Sequence, residues 1–150
     1  MRKKRIMVIG PHGSGKTTLV DYLNGKSGTP RKTPDVIYGK NTIDIPSAYI
    51  ETTWMYKNLI ALSQDASKIV VLVDQSNCRE VYSHGFAILF KCPVIGVISK
   101  CDLKVENREK CLKQLKNIGI SEPYFSISAT EKIGIDTLKD YLLGTGEVEK

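Results

Sequence analysis

Eight consecutive residues, Gly10-Pro11-His12-Gly13-Ser14-Gly15-Lys16-Thr17, satisfy the spacing G-x-x-x-x-G-K-[ST], and a second threonine, Thr18, follows them. The chemistry served by that spacing is the holding of a phosphate chain. Glycines at 13 and 15 let the backbone curl until successive N–H groups converge, making an anion-binding nest at a helix N-terminus. Lys16 adds a full positive charge for β- and γ-phosphates, and the Thr17 hydroxyl is a hard oxygen ligand suited to Mg²⁺. Gly10, His12, Gly13, Ser14, Gly15, Lys16, Thr17 and Thr18 are therefore the expected nucleotide contacts, and Lys16 is also a candidate catalytic group.

Three weaker patterns follow in order. Asp44 opens Asp44-Ile45-Pro46-Ser47, a variant of D-x-x-G, in which the carboxylate holds a magnesium-bound water. Asp44 thus joins Thr17 as a candidate metal ligand. Ser99-Lys100-Cys101-Asp102 resembles the guanine-recognition pattern [NT]-K-x-D. A carboxylate at Asp102 accepts hydrogen bonds from the N1 and N2 donors of guanine, whereas adenine presents an acceptor at N1; the Lys100 stem packs on the base plane. Ser128-Ala129-Thr130 resembles S-A-[KLT], whose backbone supports guanine O6. Ser99, Lys100, Asp102, Ser128 and Ala129 are the expected base-side contacts. Alone, an Asp before a turn or a short polar tetrapeptide is usually a cap or a solvated loop. The weight comes from their order behind a phosphate loop.

Such residues act together only if the fold brings them to one edge. Arg5–Ile9 reads as an apolar strand, and Lys16–Leu23 as a helix with Leu19, Tyr22 and Leu23 at helical spacing. Residues 27–35 read as an irregular loop and 36–44 as one or two short strands. Over 50–64, Met55, Leu59 and Leu62 at i, i+4 and i+7 predict one helix with an apolar stripe. Residues 68–73 are apolar at both alternations, as in a strand covered on both faces. Tyr82, Phe86 and Leu89 predict a further helix, 93–98 a strand, Cys111, Leu112, Leu115 and Ile118 a helix, and 124–127 a strand. Leu138, Tyr141 and Leu142 predict a last helix ending near Gly144. The alternation predicts a three-layer α/β fold with a mostly parallel central sheet, one domain over 1–143 and a flexible tail over 144–150. Ligands of such sheets bind at the carboxyl ends of the strands, where the phosphate loop falls.

Composition narrows the class. With 41% hydrophobic and 25% charged residues in a chain of 150, the balance is that of a water-soluble domain. No apolar stretch approaches the ~20 residues of a membrane span, so no membrane insertion is expected. The basic start, residues 2–5, precedes an apolar run too short for a secretory signal. Cys78, Cys92, Cys101 and Cys111 form no C-x-x-C pair, and they read as reduced thiols of a cytoplasmic protein. A net charge of +6 reads as a solvated face attractive to anionic nucleotide. Nucleic acid is not an expected partner, since no aromatic-interleaved motif accompanies the charge.

The order of elements resembles a small Ras-like P-loop GTPase domain and, more narrowly, the EutP/PduV family of ethanolamine- and propanediol-utilisation proteins. The marks are residues 5–19, Arg31-Lys32-Thr33, Ile43-Asp44-Ile45-Pro46 with Tyr49, Trp54 and Tyr56, and Ile98-Ser99-Lys100-Cys101-Asp102. The resemblance implies a three-layer P-loop NTPase fold and Mg²⁺ with a purine nucleotide, GTP or ATP. It implies Thr33 as a switch residue reaching metal and γ-phosphate, hence a catalytic and metal-binding candidate. It also implies a link to bacterial microcompartments, with a shell protein or pathway enzyme as partner. Either GTPase-like turnover or ATP-dependent acyl phosphotransfer of the acetate-kinase kind is compatible with it.

Departures from the GTPase pattern shape the expectation. Ser47 stands where D-x-x-G has glycine, and Ala48 stands where many GTPases carry a water-orienting glutamine, so slow intrinsic hydrolysis is expected. His12 adds bulk to the phosphate loop, either obstructing an inserted arginine or simply facing solvent. Ser99 in place of Asn or Thr weakens the tie between base loop and phosphate loop. Arg31, Arg79 and Arg108 are scattered, offering no evident carboxylate clamp. Asp102 favours GTP. A slow hydrolase or switch, an acyl phosphotransferase and a nucleotide-gated docking module remain the three functional classes. Trp54 and Tyr56 would serve the last if exposed, although aromatic residues at such spacing more often belong to a core.

Overall fold

A computed structural model describes residues 4–25 and 36–144. Its centre is β4, Ala66–Asp74, whose side chains are apolar on both alternations and therefore need cover on both faces. Val70 and Leu72 point into one core, Ile69, Val71 and Val73 into the other. On the first face lie the helices α1, Lys16–Leu23, and α5, Ile135–Leu143; Leu19, Val20, Leu23, Ile135, Leu138 and Leu142 pack there on Ile6, Val8, Ile95 and Val97. On the second lie α3, Tyr56–Leu62, and α4, Arg108–Ile118; Leu59, Cys111, Leu115 and Ile118 meet Met7, Ile9 and Ile98. A short helix, α2, Ala48–Glu51, inserts Ile50 into the same core.

Among the described residues six strands form one sheet. β1 is Arg5–Ile9, β2 Ile37–Tyr38, β3 Thr42–Asp44, β5 Val94–Ser99 and β6 Phe125–Ser126, in the spatial order β2-β3-β1-β4-β5-β6. β2 runs antiparallel to β3, and every other pairing is parallel. Parallel neighbours set the carboxyl ends of β1, β3, β4 and β5 along one edge, so Gly10, Asp44, Asp74 and Ser99 all lie near it. This is the expected three-layer α/β architecture.

Two expected helices take a different form. The stretch 50–64 is broken at Thr52, which is extended (φ −131°, ψ 125°) and donates from Oγ1 to Ala48 O at 3.3 Å. A 3₁₀ turn, Thr53–Met55, then leads into α3. Adjacent β-branched Thr52 and Thr53 favour that extended step. Of the expected stripe only Leu59 is fully buried, Met55 and Leu62 being half-buried. The helix expected from Tyr82, Phe86 and Leu89 is a 3₁₀ turn, Phe86–Leu89, entered through Gly85 at φ 76°. Its aromatic residues are core residues all the same. Phe86 packs against Tyr56, Tyr82 and Phe90 with ring centroids 5.0, 5.3 and 5.3 Å apart, and Tyr82 donates its hydroxyl to Leu72 O at 2.7 Å. The i, i+4 spacing came from packing around Phe86 rather than from a helical turn.

Trp54 is 68% exposed, against the expectation of a core residue, while Tyr56 is half-buried with its hydroxyl 3.0 Å from Ser83 Oγ. All four cysteines are free thiols. No helix among the described residues is long and apolar enough to cross a membrane. The loop expected at 27–35 lies outside the described residues, except that its C-terminal neighbour Val36 is described, and so do residues 145–150 of the expected tail.

Candidate nucleotide site

The phosphate loop connects the buried end of β1 to the first turn of α1. Gly13 and Gly15 adopt φ of 80° and 90°, and a Cβ at either would meet open space. Their backbone conformation, not crowding, requires glycine. Ser14 N donates to Pro11 O at 3.1 Å, closing the loop, and Leu19 N donates to Gly15 O at 3.1 Å, starting the helix. Ser14 is fully buried, and its Oγ finds no hydrogen-bond partner in the protein. His12 and Gly13 are exposed.

Lys16 and Asp44 meet across the β1–β3 pairing, Nζ to Oδ1 at 3.2 Å, with Asp44 only 8% exposed. Val8 and Asp44 are paired in that register, so sheet geometry sets the carboxylate beside the phosphate loop. Half-buried Thr17 is the second residue of α1. A hydroxyl and a carboxylate are hard oxygen donors of the kind Mg²⁺ takes, and that ion is commonly held by one or two side chains together with substrate phosphates. Among the described residues no group of three or more His, Cys, Asp or Glu could hold a metal by itself. Ser47 sits at φ −61°, ψ −26° and begins α2 directly. That right-handed backbone is open to any residue, which is why glycine is not needed there.

The base-side elements converge on the same edge. Lys100 follows β5 in a left-handed conformation, φ 56°, and donates from Nζ to Gly13 O at 2.6 Å. The same ammonium lies 3.4 Å from Asp74 Oδ2. Ser99 Oγ is directed to Val73 O at 3.4 Å, a long contact, so it makes no tie to the phosphate loop; Lys100 makes it instead. Cys101 N donates to Ile127 O at 3.0 Å, joining the loop to the segment after β6. Burial, and next the Asp102 carboxylate, push the Cys101 thiol up. Ser128 Oγ accepts from Glu131 N at 3.1 Å and orders the turn carrying Ala129 and Thr130.

A pocket of about 200 Å³ lies between these elements. It is lined by Ser14, Gly15 and Thr18 from the phosphate side, by Ser99, Lys100, Asp102 and Leu103 from the base loop, and by Ile127, Ser128, Ala129 and Thr130 from the loop after β6. Lys16 and Asp44 meet outside it, next to Thr17. Thr33 lies outside the described residues. The sequence patterns missed Asp74, which pairs with Lys100 and accepts from Ser76 N and Oγ at 2.9 and 2.7 Å. An aspartate ending an apolar strand carries no motif. Arg79 was also unplaced by the sequence; it lines a small cleft with Pro11, His12, Asp74 and Asn77 beside the phosphate loop.

The family model for ethanolamine utilisation and propanediol utilisation proteins matches residues 3–144. The propanediol utilization protein PduV of Citrobacter freundii is 32% identical over 140 residues, 93% of this chain and 93% of its own. The probable acetate kinase EutP of Escherichia coli strain K12 is 30% identical over 149 residues, 98% of this chain and 94% of its own. Among solved structures, translation elongation factor SelB from Methanococcus maripaludis, in complex with the GTP analogue GppNHp, is similar with a TM-score of 0.67 at 19% identity. That similarity covers 100% of this chain and 35% of the factor, and it is one of fold. The fold is that of the P-loop GTPases.

Proposed function

This chain belongs to the PduV–EutP family of ethanolamine and propanediol utilisation, and we propose that it is a Mg²⁺-dependent purine-nucleotide-binding protein that favours GTP and turns it over slowly. The observation that carries the reading is the Lys100 bridge. One side chain of the base loop is bonded to Gly13 O of the phosphate loop at 2.6 Å, while Asp102, two residues on, lines one pocket with Ser14, Gly15 and Thr18. A nucleotide lying across that bridge has its phosphates on the α1 N-terminus and its base at Asp102.

In this reading Lys16 neutralises the phosphate tail, Thr17 and Asp44 hold the metal, and Thr33 joins them from the 26–35 segment. Mg²⁺, when bound there, would supply positive charge against the phosphate chain. Ala48 offers no polar group to orient water, and it begins a helix directly after Ser47. Slow hydrolysis follows, so the bound state is long-lived and suited to a switch. Membership of a family of ethanolamine and propanediol utilisation supports a switch serving that metabolism, and the reading takes it to work in the cytoplasm with a microcompartment shell protein or a pathway enzyme as partner.

A second reading is ATP-dependent acyl phosphotransfer, in which a carboxylate oxygen attacks the γ-phosphorus, giving an acyl phosphate and the nucleoside diphosphate. Kinship with a probable acetate kinase favours it, as does Arg79, which comes into the cleft beside His12 instead of lying remote from the phosphate loop. Identifying the nucleotide retained on purification, and assaying its products with and without acetate, tests both. Guanine nucleotide released as GDP and phosphate, independent of acetate, is the expected result. Acetate-dependent acyl phosphate from ATP, lost in Lys16→Ala, would replace the first reading with the second.

A further inference from the structure

We infer that Gln75 is a positioning residue for base recognition: its side-chain amide holds the carbonyls of the two residues on either side of Asp102, Cys101 and Leu103, and so fixes the carboxylate that reads the base. The inference rests on the reading of Asp102 as the guanine-reading residue. Gln75 directly follows β4, and its backbone N donates to Ser99 O at 3.0 Å, extending the β4–β5 ladder by one step. The side chain is 1% exposed. Its Nε2 donates to Cys101 O at 3.0 Å and to Leu103 O at 2.8 Å. An amide nitrogen has two hydrogens. Both are therefore used, one on each side of Asp102.

The orientation of the amide is fixed by its surroundings. Exchanging nitrogen and oxygen would set Oε1 against two carbonyl oxygens. In the observed orientation Oε1 is buried without a hydrogen-bond partner. An unsatisfied buried acceptor is destabilising, and a methionine or leucine would fill the same space without it. The residue type is thus explained by what Nε2 donates, not by packing. Asn107 braces the arrangement from beyond the loop, donating from Nδ2 to Gln75 O at 2.9 Å.

The loop needs such a hold. Lys100 is in the left-handed region, which disfavours residues with a Cβ, and Ser99 spends its hydroxyl on the β4 backbone. Asp102 is itself exposed, so its carboxylate is placed by the backbone on either side of it rather than by packing.

The test compares binding of GDP with that of inosine diphosphate, which lacks the N2 amino group, in the presence of Mg²⁺. The proteins are the full chain and its Gln75→Met, Asn107→Ala, Asp102→Asn and Gln75→Met/Asp102→Asn variants. The wild type prefers GDP. Gln75→Met shrinks that preference by about fivefold to tenfold, the size of one weakened charge-assisted hydrogen bond. It shrinks it no further in the Asp102→Asn background, and Asn107→Ala shrinks it by less. A merely structural role would weaken both nucleotides equally and leave the ratio untouched. An unchanged ratio in Gln75→Met, or in Asn107→Ala if the former does not fold, overturns the inference while the guanine reading stands. A wild type that binds both diphosphates equally overturns that reading and this inference with it.

Discussion

At the scale of single residues, the proposed site divides between groups that would hold charge and groups that would read the base. Lys16 and Asp44 neutralise each other at 3.2 Å, so removing either breaks that ion pair as well as the proposed phosphate or metal contact. Lys16→Ala is expected to abolish detectable nucleotide binding and turnover, as read by calorimetry and phosphate release, while the protein stays folded by circular dichroism. Lys100 carries two partners, Gly13 O and Asp74. Lys100→Met is expected to accelerate nucleotide release by about tenfold or more, since hydrogen bonds from a charged donor contribute about 1.5–3 kcal/mol; stopped-flow displacement of a fluorescent nucleotide measures it. These two lysines were legible in the sequence because each sits in a local pattern. Asp74 and Gln75 were not, because their partners lie about 26 residues on, in a loop that becomes their neighbour only when β4 pairs with β5. The loss of the longer side chain at position 99 was visible as a departure, but the compensating tie from Lys100 required the fold. Thr33, the expected switch residue, belongs to a stretch outside the described residues.

At the scale of elements, the strands were read most faithfully, because runs apolar on both alternations admit few alternatives to a buried parallel strand. β1 and α1 match their expected limits, and β4 is longer than expected at both ends. The connections resisted. Between β4 and β5 the aromatic spacing at 82 and 86 imitated a helix, whereas the chain uses a 3₁₀ turn to deliver Phe86 into a ring cluster. Phe86→Ala is expected to destabilise the protein by about 3–5 kcal/mol, the range for removing a buried aromatic side chain; urea unfolding measures it. The same region sets a pH limit. Burial chiefly, with the Cys78 thiol and Asp74 adding to it, pushes the Cys111 thiol up to about 11, above its ordinary value of 9.0. Because the folded-state value lies above the unfolded one, the stabilisation is complete below about pH 9 and is lost as pH rises toward about 11. Tyr82, shifted well above 10.0 by burial, acts in the same direction at higher pH. Thermal unfolding between pH 8 and 11 should fall less steeply in Cys111→Ala than in the wild type.

At the scale of the whole molecule, a six-stranded sheet gathers four strand ends to one edge, and that edge joins a phosphate loop to a base loop. The candidate site lies on a P-loop GTPase fold, and of its departures from the GTPase sequence pattern Ser47 has a local structural reason and Ser99 a compensating contact from Lys100. A lone protein so built is expected to hydrolyse GTP at or below about 10⁻³ s⁻¹, near the intrinsic rate of GTPases awaiting an activator; single-turnover phosphate release measures it. Exposed Trp54, on the segment after Asp44, gives a docking role its most direct handle, since its fluorescence should differ between diphosphate- and triphosphate-bound forms if that segment responds to nucleotide. The central claim is that a guanine nucleotide has its base at Asp102 in the pocket and its phosphate tail at Lys16 beside that pocket. Titration of GTP and ATP against the wild type and Asp102→Asn tests it most directly. The account predicts that the wild type binds GTP at least about tenfold more tightly than ATP, a preference erased by the substitution without loss of ATP binding. ATP bound as tightly as GTP, with neither affinity altered by Asp102→Asn, would contradict it.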